Sequence, residues 1–149
     1  MSRAHGIDIS KWQVSFDPSV NPDDTNFVVM RTSYGLMTDE KCEDFLEAIQ
    51  PLPGRGAYHY FSSGSPWEDQ AELFLSLTKD KGFHFFALDI DKAFNKSSMG
   101  FIQSAEKWIN FVAKETGKRV LLYTNPSVYI EWLMPFAEAE KPWMQDWPL

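Results

Sequence analysis

The chain has 149 residues, 44% of them apolar, which is enough to bury one substantial core and excludes a disordered chain. Its 21 acids against 14 bases give a formal charge of -7 with no run of Lys or Arg, which argues against a nucleic-acid partner and for a neutral or cationic one. A single cysteine allows neither an internal disulfide nor a zinc cluster, and with no apolar leader core and no stretch near ~18 apolar residues the expectation is one soluble domain over residues 1–149, without a membrane partner.

Gly6-Ile7-Asp8-Ile9-Ser10 is a short β-type run that leaves Asp8 near a strand end. Residues 14–25 are rich in Pro, Asp and Asn and read as an irregular connection with room for one short helical turn. Phe27-Val28-Val29-Met30-Arg31-Thr32 is a second buried strand, running out into Ser33-Tyr34-Gly35. From Asp39 to Ile49, Cys42, Phe45, Leu46 and Ile49 recur at three and four residues, an amphipathic helix stopped by Pro51, with Cys42 in the core. Residues 54–61 form a glycine-bounded strand carrying Tyr58, His59 and Tyr60. Ser65-Pro66-Trp67-Glu68 then reads as an N-cap serine, a proline at the first helical position and a capping-box glutamate, opening a helix to about Lys81.

The run Phe83-His84-Phe85-Phe86-Ala87-Leu88-Asp89-Ile90-Asp91 reads as a strand covered on both faces that ends in two acids. An ionised carboxylate out of water costs several kcal/mol unless it is paired. Alternation puts Asp89 and Asp91 on one face, ~7 Å apart along the strand. Either the pair belongs to an active site, or the strand ends at a surface loop with both acids solvated. Residues 92–98 are a polar loop; Phe101, Ile102, Ala105, Trp108, Ile109 and Val112 mark a helix closed by Gly117. Val120-Leu121-Leu122-Tyr123-Thr124 is a fifth strand, and Asn125-Pro126 caps a further helix carrying Val128, Ile130, Trp132 and Leu133. His5, His59 and His84 share no metal-ligand spacing and each falls in or beside a strand, the pattern of structural histidines.

Strands separated by helices mean βαβ units and a parallel sheet, in an α/β fold that is either an open doubly wound sheet or part of a barrel. Strand after strand ends in polar or aromatic residues: Asp8, Ser33 and Tyr34, Tyr60, Asp89 with Asp91, Tyr123 and Thr124. Site groups drawn from many strand ends favour a TIM-type barrel over an open sheet, which gathers them at one switch point. No glycine-rich phosphate loop follows any strand, so a nucleotide cofactor is not expected.

In order and spacing, these segments resemble glycoside hydrolase family 25, the muramidases of bacterial lysozymes and phage endolysins. The resemblance rests on Gly6 to Ser10 with Trp12-Gln13, Phe27 to Thr32 with Gly35, Gly56-Ala57-Tyr58-His59-Tyr60-Phe61, Ala87-Leu88-Asp89-Ile90-Asp91, Leu122-Tyr123-Thr124 and Trp147-Pro148-Leu149. It implies a (β/α) barrel acting on peptidoglycan at the bacterial cell wall without a cofactor or metal. The family's general acid falls on Asp91, and its assisting acids fall on Asp89 and Asp8. Asp91 departs from the family's glutamate by one methylene. A complete (β/α)8 barrel needs at least ~200 residues, so the expectation is an incomplete barrel of about five strands, truncated before the last ones, that self-associates or is completed by a further C-terminal segment. Trp12, Tyr34, Tyr58, Tyr60 and Tyr123 are candidate sugar-stacking residues. Two readings from other classes stay open: a glycan-binding protein that has lost catalysis, and a hard-cation site made by Asp8, Asp89 and Asp91.

Overall fold

The computed structural model describes residues 5–17, 25–90 and 98–134. The β-branched and aromatic runs form β1 (Gly6–Ile9), β2 (Phe27–Tyr34), β4 (Gly54–Tyr60), β5 (Phe85–Asp89) and β6 (Val120–Tyr123), all parallel to their neighbours. A two-residue strand, β3 (Met37–Thr38), turns back antiparallel on the end of β2. The order is β1-β2-β4-β5-β6, so the strands follow the chain without reversal. A doubly wound sheet reverses direction partway, and an unreversed order is what a barrel requires. Of the two arrangements left open by the sequence, the barrel type is found. The described strands do not close it.

Helices α1 (Cys42–Ala48) and α2 (Trp67–Thr78) pack on β2, and α3 (Ser98–Thr116) packs on α2 and β6. The core lies between these helices and the outer face of the sheet, where Val28, Met30, Ala57, Phe86, Leu88 and Val120 meet Phe45, Phe74, Ile102, Trp108 and Val112. His59 sits in this layer at 0% exposure. Its ring stacks on Trp108 at 5.4 Å, Nδ1 lies 2.8 Å from Ser33 Oγ, and Nε2 lies 3.0 Å from Gln70 Oε1. Gln70 Nε2 donates to the carbonyls of Ser62 and Ser65, which leaves Oε1 as the acceptor; Nε2 of His59 therefore carries the proton and Nδ1 accepts from Ser33. Cys42 is buried as expected, and burial pushes its thiol up to about 11.

Several local expectations are corrected. The capping box at Ser65–Glu68 does not form: α2 starts after Pro66 with no side-chain cap, and the Gln70 amide takes the carbonyls of Ser62 and Ser65. That helix ends at Thr78 rather than near Lys81, because Asp80 (φ 63) and Gly82 (φ 79) turn the chain in the left-handed region. α1 begins at Cys42, not Asp39, since the Asp39 carboxylate is drawn into the buried pair described below. The Asn125 cap does form, its Oδ1 accepting from Val128 N at 2.9 Å, but one α-helical turn (Pro126–Val128) passes into a π-helical turn at Tyr129–Leu133. The loop expected at 92–98 lies mostly, and the Pro142 to Leu149 segment wholly, outside the described residues.

Candidate active site

The inner face of the sheet bears Phe27, Val29 and Arg31 of β2, the odd-numbered residues of β5 and the even-numbered residues of β1 and β4. Gly6, Gly54 and Gly56 fall on this face at the N-terminal ends of their strands, beside the rings of Phe27 and Phe85. A Cβ on Gly56 would lie 2.6 Å from the Phe85 ring, and one on Gly6 would overlap Phe27. The glycines leave room for the two rings, 6.2 Å apart and edge to face, which form a floor. Above this floor is an open cleft of about 760 Å³, lined by residues from β1 through to β6, so the sheet wraps around it.

Asp8, Tyr58, Asp89 and Tyr123 line this cleft toward the C-terminal ends of β1, β4, β5 and β6. Asp89 pairs in register with Tyr60 and Tyr123, and the Asp89 carbonyl accepts from Phe61 N at 2.9 Å. Asp8 is exposed and Asp89 half-buried. The Tyr58 hydroxyl senses both: its pKa is pushed up to about 12, first by burial, with Asp8 and Asp89 adding to the rise while Arg31 and a hydrogen bond to Ser10 oppose it. Tyr58 is therefore a protonated donor at any working pH. Trp12 stands 77% exposed on the loop after β1, beside Lys11. Tyr34 pairs in register with Tyr60 and packs under Lys11 and Arg31, so it, Tyr60 and Trp12 flank the cleft rather than line it. Asp91 lies outside the described residues. Among the described residues, no three His, Cys, Asp or Glu side chains are grouped to hold a metal ion.

Two residues overlooked in the sequence stand next to this cluster. Arg31 emerges on the inner face of β2 in register with Tyr58, and its Nε donates to Asp39 Oδ2 at 2.7 Å. The signal for it was an arginine inside an otherwise apolar strand run, which calls for a partner; Asp39, just past the β2–β3 turn, is that partner.

The family model of glycosyl hydrolases family 25 matches residues 7–149. The uncharacterized protein YegX of Escherichia coli (strain K12) is 30% identical over 148 residues, covering 93% of this chain and 54% of YegX, so the chain spans about half the length of that relative. Among solved structures, the catalytic domain of endolysin ply40 from bacteriophage P40 of Listeria monocytogenes superposes with a TM-score of 0.77 at 28% identity, covering 87% of this chain and 67% of that one. A muramidase from Acremonium alcalophilum has the same TM-score at 23% identity, over 91% of this chain and 74% of its own, a likeness of fold.

Proposed function

Because the chain belongs to glycosyl hydrolases family 25, we propose that residues 1–149 act as a catalytic-type domain of a peptidoglycan hydrolase. The activity is that of an N-acetylmuramidase, cutting the β-1,4 bond between N-acetylmuramic acid and N-acetylglucosamine at the bacterial cell wall. The observation that carries this reading is the meeting of Asp8 and Asp89, from the first and fourth long strands, in one cleft with Tyr58 and Tyr123.

Cleavage needs a proton for the leaving oxygen and negative charge near the cation that develops at the anomeric carbon. Asp91, two residues beyond Asp89, is the proton donor: a carboxyl beside another carboxylate is held protonated, because like charges in one site do not both ionise cheaply. Asp89 stays ionised and holds the 2-acetamido group. Either the acetamido oxygen or a carboxylate then meets the anomeric carbon, and water completes the reaction with net retention. Asp8 supports the developing charge. Tyr58, protonated throughout, donates to a sugar oxygen, and Tyr123, Tyr60, Tyr34 and Trp12 offer ring faces to the glycan. Digestion of purified peptidoglycan followed by proton NMR tests this: new reducing ends with the β anomer formed first are expected, and an initial α anomer would refute retention.

The second reading is a glycan-binding protein that no longer cleaves, and the observation in its favour is Asp91 in place of the family's glutamate. It predicts capture on peptidoglycan sacculi without any new reducing ends.

A further inference from the structure

Arg31 and Asp39 have no part in the chemistry just described, yet Arg31 rises from the same inner face of the sheet as its carboxylates. Arg31 is nine-tenths buried, its guanidinium carbon lies 5.1 Å from the centre of the Tyr34 ring, and its Nη2 is buried without a hydrogen-bond partner. A buried donor left so costs on the order of 1–3 kcal/mol, and a buried ion pair is weak stabilisation at best. Stability alone does not account for the pair. Asp39 is fully enclosed; besides Arg31 Nε, its carboxylate accepts from the backbone N–H of Lys11 at 3.2 Å and of Lys41 at 2.9 Å. One carboxylate thus ties the exit of β1, three residues past Asp8, to β2 and to the start of α1.

The register sets the rest. Asp8 pairs with Val29, and Arg31 is the next inward residue on that strand; Arg31 pairs with Tyr58, Tyr58 with Ala87, and Asp89 is the next inward residue after Ala87. Asp8 is therefore a diagonal neighbour of Arg31, ~7–8 Å away, and Asp89 lies two strands over, ~12 Å away across Tyr58. Among the described residues, the ionisable groups at this end are Asp8 from β1, Arg31 and Tyr34 from β2, Tyr58 and Tyr60 from β4, Asp89 from β5 and Tyr123 from β6. Lys11, Asp39 and Glu40 lie behind Arg31, and Arg119 stands at the opposite end of the cleft.

We propose that Asp39 and Arg31 are a charge-setting positioning pair: Asp39 fixes the guanidinium, and that fixed cation is the one the carboxylates Asp8 and Asp89 face. The inference rests on the reading of Asp8 and Asp89 as the glycosidase's assisting acids.

The test is a carboxyl-carbon NMR titration of Asp8 and Asp89 in the intact 149-residue chain, parent and variants. Arg31→Gln leaves the negative Asp39 uncompensated and moves the two midpoints up, whereas Asp39→Asn leaves Arg31 uncompensated and moves them down, by roughly 0.5 pH unit at Asp8 and less at the more distant Asp89. Arg31→Lys, which keeps the charge, stays near the parent. A packing role would not produce shifts of opposite sign, so shifts in the same direction, or below about 0.2 unit in both, overturn the proposal. If Arg31→Gln does not fold, Asp39→Asn and Arg31→Lys still decide, because only a charge effect lowers the midpoints in one and spares them in the other. The titration needs no turnover. Opposite shifts in a chain that cuts no peptidoglycan would sink the muramidase reading and keep the pair; cleavage without the shifts would sink the pair alone.

Discussion

Asp91 carries the sharpest prediction at the scale of a single residue, because its carboxyl falls short of the family's glutamate by one methylene, and a misplacement of about 1 Å can cost ~100-fold in rate. Asp91→Asn is expected to lower turnover on peptidoglycan by ~100-fold to ~10,000-fold with KM near the parent value, while Asp91→Glu raises it. Steady-state kinetics on one sacculus preparation would show this, and full activity in Asp91→Asn would place the acid elsewhere. His59 makes a prediction of a different kind. Burial, opposed weakly by Gln70, lowers its pKa from 6.5 to about 4. The unfolded chain takes up a proton as pH falls through 6.5, while the fold refuses it until about 4, so the unfolded state is favoured across that window. The contribution is complete above pH 6.5 and is lost on acidification toward pH 4, by up to about 3 kcal/mol. Urea unfolding at pH 7 and pH 4.5 should show a larger loss in the parent than in His59→Gln. Asp8 and Asp89 were legible as candidate site residues because acids are out of place at the ends of apolar strands, and Tyr58 only as one of several aromatic candidates. Arg31 carried a signal, a charge inside an apolar run, but its partner did not, because what marks Asp39 is a contact eight residues away across a turn, which spacing does not encode.

Among the elements, the strands and the Asn125 cap were legible, and the starts of α1 and α2 were not. A strand announces itself through consecutive β-branched and aromatic residues, and each predicted strand lies within a residue or two of the one observed, apart from the shorter β5. The start of a helix is a contest for a few hydrogen bonds. At α2 the winner is Gln70, whose amide reaches back to Ser62 and Ser65 while its oxygen anchors His59, and nothing in the Ser65–Glu68 pattern foretells it. The β2 bulge between Arg31 and Ser33 was equally hidden, although it turns Ser33 toward His59 and Tyr34 toward Tyr60. The glycines of β4 offer a test at this scale. Gly56→Ala puts a methyl group 2.6 Å from the Phe85 ring, so the ring or the β4–β5 pairing must shift. A destabilisation of ~1–3 kcal/mol is expected, along with a fall in activity, since Asp89 sits four residues along the displaced strand. Gly56→Ala combined with Phe85→Leu should recover part of the stability in thermal melts. If Gly56→Ala melts like the parent, the close approach is not a constraint.

For the molecule as a whole, the alternation of strands and helices dictates parallel strands, because βαβ repeats run that way, while it leaves the order open between a doubly wound sheet and a barrel. Closure of the sheet depends on pairing between distant strands, which no local pattern encodes. Among the described residues, β1 and β6 carry no strand on their outer sides, and the cleft between them is walled largely by apolar side chains. Unpaired edges template association, and an exposed apolar face adds a driving force to it. The formal charge of -7 opposes self-association, but salt weakens that opposition, with the screening length falling from ~10 Å at 0.1 M to ~3 Å at 1 M. The 149-residue chain is therefore expected to self-associate with rising concentration, and more strongly at high salt. Ile7→Lys, a charge placed on the β1 edge, should reduce this, because lysines on edge strands discourage pairing. Light scattering across a concentration series at two salt levels measures both effects. A monomer at every concentration, unfolding cooperatively, would mean that the edges and the inner face are covered by the chain itself.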